Sequence, residues 1–222
     1  EQTYQNIVIA IAGGCPGVFL INHDFEKEKL LVIIKSIRAE FSDYWIGINF
    51  LAVTGEFAFP ILGALQSEGI NIDGYWADDA CIDERRAEND QIDANRIDTV
   101  RKDSGWHGLY IGGTAFKKQR EIDPAEYAYS ARIASNHMDI VVTSGIATGH
   151  AADVGKIKIF RKSCGDTALA VASGITPENV AEYIDDVDLF MVATGINLDG
   201  DFYNIDAIKL KRLMTIIEHK GA

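Results

Sequence analysis

Two short pairs in the last third of the chain, Ser173-Gly174 and Thr194-Gly195, join a hydroxyl donor to a residue that lets backbone N–H groups approach an anion closely. Thr176 followed by Pro177 reads as a helix start, with the hydroxyl as N-cap and Pro at N1, which sets the positive end of a helix beside Ser173-Gly174. Together these features predict a site for a phosphate-bearing ligand, although each glycine also suits a plain tight turn. A third stretch, Thr143-Ser144-Gly145-Ile146-Ala147-Thr148-Gly149-His150, adds Ser144, Gly145 and Thr148 to the candidate phosphate set. Such a stretch serves either as a cover over a ligand or as a flexible surface loop.

Groups for proton transfer are sought at strand ends, and Asp24, Asn49, Asp78 and Lys117 stand there, with Asn22 and His23 beside Asp24. Asp24 and Asp78 would form a carboxylate pair in which one is the general base, and Lys117 would offset negative charge on the substrate. The plainer alternatives are that Asp24 caps a helix beginning near Glu26 and that Lys117 and Lys118 are a solvated pair. His107 is expected inside a strand next to Trp106, and His137 and His219 near helix ends, so His150 is the histidine beside a site loop. With no HExxH and no paired cysteines, no transition metal and no cofactor is expected, while a Mg²⁺ ion bridging phosphate and an aspartate stays open.

Helical apolar stripes alternate with short β-branched runs, and that alternation indicates parallel βα units. Tyr4, Ile7, Val8 and Ile11 define an opening helix stopped by Gly13-Gly14. Strands are predicted at 17–22, 45–51, 72–77, 106–112, 138–143, 167–172 and 187–193. After the 17–22 strand comes a helix carrying Leu30, Ile33, Ile34, Ile37 and Phe41, and further helices are predicted near 56–68, 88–104, 124–136, 152–163, 177–184 and 205–219. The fold class is therefore α/β, a (β/α)8 TIM-type barrel forming a single domain over 1–222, its first strand expected upstream of Glu1. An open sheet is the alternative, but a dinucleotide-binding sheet opens with a Gly-rich turn after its first strand, and the early cluster GGCPG precedes a strand. In a barrel the active site lies at the C-terminal strand ends, with phosphate at the last two loops, where the two Gly pairs fall.

Composition agrees with a soluble, reduced, cytoplasmic chain: 47% hydrophobic and 24% charged residues, three scattered cysteines, and no apolar run near the length of a membrane span. Twenty-one basic against 33 acidic residues, net −12, would repel a phosphate backbone, so nucleic acid is not expected as a partner. The expected partner is a phosphorylated small molecule, and a homo-oligomer is compatible with this surface.

TSGIATG (143–149), Lys156-Ile157, ASGITPENV (172–180), ATGINLDG (193–200) and Asn204 with Asp206 resemble the BtpA family over roughly residues 138–215, with fainter similarity at GVFLINHDF and IGINFL. The resemblance implies a phosphate-binding (β/α)8 barrel whose first strand precedes Glu1; such proteins are linked to photosystem I biogenesis and to nucleoside- or sugar-related metabolism. Two departures stand against carrying over chemistry. Ala52-Val53-Thr54-Gly55 replaces an Asn-Asp pair, and Trp76-Ala77-Asp78-Asp79 replaces an Arg-Val-Asn type sequence. The expectation is an enzyme acting on a phosphosugar or nucleotide-like metabolite. The alternatives are a binding or assembly factor that keeps the pocket and an enzyme resembling phosphoribosylanthranilate isomerase, for which no convincing Cys and Asp pair is present.

Overall fold

The computed structural model describes residues 1–117 and 119–220, without the side chain of Lys220, so Lys118 lies outside the described residues. Among the described residues, seven strands, β1 (Gly17–Ile21), β2 (Trp45–Asn49), β3 (Gly74–Ala77), β4 (Leu109–Gly113), β5 (Ile140–Ser144), β6 (Ala168–Ala172) and β7 (Leu189–Met191), form one parallel sheet in sequential order. The same residues form seven α-helices, α1 (Gln2–Ala12) before the first strand, α2 (Lys27–Glu40), α3 (Gly55–Ser67), α4 (Ile92–Ser104), α5 (Tyr127–Ala134) and α6 (Val154–Ser163) between strands, and α7 (Ala207–Lys220) after the last. The sheet is curled in the TIM-barrel manner, with β1 and β7 as its edges among the described residues.

Alternation along each strand separates two cores. Outward residues such as Ile48, Tyr75 and Tyr110 join the large core under the helices. Inward residues form a second cluster of Trp76, Ile111, Val142, Ala170, Ala172 and Met191, with Phe19 and Ile21 packed against it. That cluster spans from the first strand to the last, so the sheet curves enough to enclose it. The seam between β1 and β7 is braced by α1: Asn6 Nδ2 donates to Tyr203 O at 2.7 Å, and Ile205 N donates to Asn6 Oδ1 at 3.2 Å.

Three local expectations change. The segment 177–184 is no α-helix but a turn ending in one 3-10 turn, Val180–Glu182. Thr176 Oγ1 does accept from Glu178 N at 3.2 Å, yet Asn179 Oδ1 takes Thr176 N and Asn179 Nδ2 donates to Gly174 O, both at 2.8 Å, so side-chain bonds to the backbone replace the helical ladder. Helix α4 starts at Ile92 and not near 88, because Gln91 clamps the preceding loop through Asp83 N, Asp83 O and Ala87 O. His107 lies before β4 and not within it, since its N–H donates to Gln66 Oε1 at 3.1 Å.

Candidate functional site

The C-terminal ends of the strands carry a polar rim. The period of two that points Trp76 inward also turns Asn49, Asp78 and Ser144 inward, one at each of three strand ends. Asn49 and Ser144 are fully buried and Asp78 is 8% exposed. Asn49 Nδ2 donates to Trp76 O at 2.9 Å and to Asp78 Oδ1 at 3.3 Å, so Asn49 and Asp78 are brought together. These two acceptors fix the amide orientation, because a flipped Asn49 would set its oxygen against two oxygens.

Backbone strain sits on the same rim. The four non-glycine residues with positive φ among the described residues are Ala52 (59°), Cys81 (58°), Ala115 (48°) and Ser173 (76°). Each follows a strand C-terminus, of β2, β3, β4 and β6 respectively, by no more than four residues. Such conformations cost about 1–3 kcal/mol each and concentrate at functional sites. Burial pushes the Cys81 thiol up to about 12, with Asp79 adding to the effect, so Cys81 stays a thiol near neutral pH.

The three candidate phosphate loops divide into two contacts. Gly174 has φ +68°, and a Cβ there would fall 2.1 Å from Ala151 N, so only glycine lets the loop after β6 seat against the loop after β5. Ser173 Oγ completes that contact, donating to Ala147 O at 3.0 Å and accepting from Gly149 N at 3.1 Å. Gly195 lies in the 3-10 turn Thr194–Ile196, and a Cβ on it would fall 1.9 Å from Ile175 O, which joins the loops after β6 and β7. Ser144 Oγ donates to Gly145 O at 2.8 Å and accepts from Lys117 N at 2.9 Å, whereas Thr148 and Thr194 are exposed. The hydroxyls of Ser144 and Ser173 thus organise the loops.

Asp24 is placed elsewhere. Its carboxylate accepts from Tyr203 Oη, across the seam, and His23 packs edge-on against Phe202 with ring centroids 4.7 Å apart. Asp24 does not cap α2, whose N-cap is Glu26 without a side-chain cap bond. Asn22 braces the neighbouring loop by accepting Leu51 N at 2.9 Å. Lys117 is half-buried with its Nζ 5.6 Å from the Phe116 ring centroid.

Lys156 is the buried cation whose importance the residue types alone concealed. From the first turn of α6 its Nζ donates to Ala115 O at 2.6 Å and to Ser144 O at 2.8 Å, and it lies over the rings of Tyr127 and Phe160. Burial pulls its ammonium down to about 8, opposed by the charge of Asp153. It ties the loops after β4 and β5 together where one of them is strained. Among the described residues no group of three or more His, Cys, Asp or Glu is arranged to hold a metal ion, and no helix is long and apolar enough to cross a membrane. A cleft of about 480 Å³ lined by Asp98, Arg101, His107 and His137 lies at the N-terminal ends of β4 and β5, the face opposite this rim.

Comparison with known proteins bears on one half of this rim. Residues 117–219 match the BtpA family. The BtpA match contains Lys117, Ser144, Lys156, Ser173 and Gly195, while Asp24, Asn49 and Asp78 lie before it. A putative sgc region protein, SgcQ of Escherichia coli K12, is 28% identical over 138 residues, covering 57% of this chain and 50% of SgcQ, so the match spans half the length of that relative. An uncharacterized protein of Thermococcus kodakarensis is also 28% identical, over 85% of this chain and 69% of its own length. Among solved structures, phosphoribosyl anthranilate isomerase from Thermus thermophilus superposes with a TM-score of 0.61 at 14% identity, covering 99% of this chain and 95% of that one. At that identity the likeness concerns the TIM-barrel fold.

Proposed function

We propose that this BtpA-related barrel binds a phosphorylated small molecule, a phosphosugar or nucleotide-like metabolite, in the cytoplasm, and acts on it as an enzyme of sugar or nucleoside metabolism. The observation that carries the proposal is the coincidence on one rim of all four strained non-glycine residues with the buried polar set Asn49, Asp78 and Ser144. Backbone N–H groups of the loops at Gly145, Gly174 and Gly195 would hold the phosphate. Asp78, oriented by Asn49, would be the proton-transfer group, and Lys117 would offset substrate charge.

A thermal-shift screen with inorganic phosphate, ribose 5-phosphate and nucleotides tests it. At 100 times its dissociation constant a ligand stabilises the native state by about 2.7 kcal/mol, enough to move the transition clearly. If none of these compounds raises the melting temperature, the proposal falls.

One observation favours a second reading, a binding or assembly protein without turnover: Asp24, expected opposite Asp78, is engaged with Tyr203 instead. Asp78→Asn separates the two. Loss of turnover with ligand binding retained sustains the enzyme reading, and binding without turnover of any bound compound by the intact protein sustains the other. An isomerase-like reading has less support, since the Cys81 thiol stays protonated.

A further inference from the structure

Two buried polar atoms at the ends of β2 and β3 have no hydrogen-bond partner, Asn49 Oδ1 and Trp76 Nε1. Unsatisfied buried polar groups cost about 1–3 kcal/mol each and call for a physical account. Two others, Tyr110 Oη and Arg38 Nε, lie away from the mouth. Tyr110 faces the helices, and Arg38 sits on α2.

Asn49 and Trp76 differ from these in two respects, their shared inward level and the opposite partners they need. They occupy the inward face of adjacent strands at one level, since Ile48 pairs with Tyr75. Asn49 is fully buried and Trp76 is 9% exposed. They also need opposite partners: with its amide nitrogen given to Trp76 O and Asp78, Asn49 offers an acceptor, while the indole offers a donor.

We propose that Asn49 Oδ1 and Trp76 Nε1 form a hydroxyl-binding subsite for the sugar part of the ligand, on the opposite side of the mouth from the phosphate loops. A hydroxyl carries both complementary functions, an acceptor for the indole and a donor for the amide oxygen. A carboxylate or a fully ionised phosphate ester does not, because it has no proton for Asn49. Nor does an aliphatic chain, which would leave both atoms unsatisfied. The inference deepens the phosphorylated-ligand reading and rests on it for the direction in which the ligand lies, naming a polyhydroxylated moiety as what that ligand carries. Rings at Phe19 and Phe116, each edge-on to Trp76 with centroids 5.8 and 5.9 Å away, hold the indole and would hold a phenyl ring in its place.

Titration of the intact protein and of Trp76→Phe with ethyl phosphate and with ribose 5-phosphate tests this, together with the Trp76 indole N–H resonance, assigned by its absence from the variant. Ribose 5-phosphate should bind the intact protein at least tenfold more tightly than ethyl phosphate. Trp76→Phe should remove about tenfold of that preference, one hydrogen bond's worth, while leaving ethyl phosphate within twofold. The indole resonance should move on addition of ribose 5-phosphate. Equal binding of the two probes, or an equal loss of both in Trp76→Phe, overturns the subsite and leaves the phosphate reading standing. If ethyl phosphate and inorganic phosphate both fail to bind, the phosphate reading fails, and free ribose then decides the subsite alone: a moved indole resonance sustains it and an unmoved one overturns it. Should Trp76→Phe not fold, the same resonance, assigned through Trp45→Phe and Trp106→Phe, decides in its place: movement with ribose 5-phosphate sustains the subsite and no movement overturns it.

Discussion

Replacing Lys156 by Met isolates what a buried ammonium does to this fold. The thioether keeps the stem against Tyr127 and Phe160 and removes the donors to Ala115 O and Ser144 O. Burial holds the native pKa at about 8 against an ordinary value of 10.5. Between those values the unfolded chain binds more protons than the native one, so stability rises with pH through this window, and below about pH 8 the full cost of the buried charge is present. At 1.36 kcal/mol for each tenfold change in proton affinity, that gap amounts to about 3 kcal/mol, most of which should appear between pH 7 and pH 10. Urea denaturation of both proteins at pH 7, 8, 9 and 10 gives the quantity directly, because other titrating groups cancel in the difference. The advantage of the intact protein over Lys156→Met should grow by about 2–3 kcal/mol across the series. A difference that stays flat, or shrinks as pH rises, refutes the assignment of Lys156 as a charge held against its burial cost.

Gly174→Ala should destabilise by about 2–5 kcal/mol, combining left-handed strain with a methyl group driven into Ala151 N, and should weaken phosphate binding in the same titrations; a loss under 1 kcal/mol would mean the two loops separate freely. Asp24→Asn should bring the Tyr203 phenol, held above its usual range first by its hydrogen bond to Asp24, back down, as read by its ring resonances in an alkaline titration; an unchanged midpoint would deny the seam contact. Arg120→Ala should cost about 1–3 kcal/mol, more than an ordinary surface pair, because it leaves the 5% exposed Glu84 carboxylate without its guanidinium, and denaturation midpoints at constant slope would show it.

Much of this rim is legible in the chain because strand ends are legible. Asn49 and Asp78 stand out as polar residues closing apolar runs, and the period of two then turns both inward. The Gly pairs are legible as places of close backbone approach, but residue type does not say what approaches. For Gly174 and Gly195 it is a neighbouring loop. Asp24 and Asp78 look like partners in the sequence because both follow strands. The seam contact that takes Asp24 to Tyr203 depends on α1 drawing the 203–205 segment towards β1, a tertiary event no local pattern carries. The 177–184 segment departs from its helical pattern for a local reason, since an Asn three residues after a Thr-Pro start has side-chain bonds to offer that compete with a helix.

Two residues near the rim, Lys156 and Trp76, are hidden by chemistry that reads as ordinary. Lysine on a helix with the pattern of α6 is normally solvated. Only the crossing of that helix over Ala115 and Ser144 makes Lys156 a buried clamp. Tryptophan inside a barrel is normally packing, and Trp76 does pack, but its ring edge carries a donor that the aromatic cluster cannot satisfy. In the sequence alone, the departure at Trp76-Ala77-Asp78-Asp79 counts as a sign of missing chemistry. In the fold it supplies an indole donor two positions before the proton-transfer candidate Asp78 and level with Asn49. Under the proposed hydroxyl subsite, that family difference at a strand end would change what the mouth recognises, and the loops of the BtpA-matched segment would hold the phosphate.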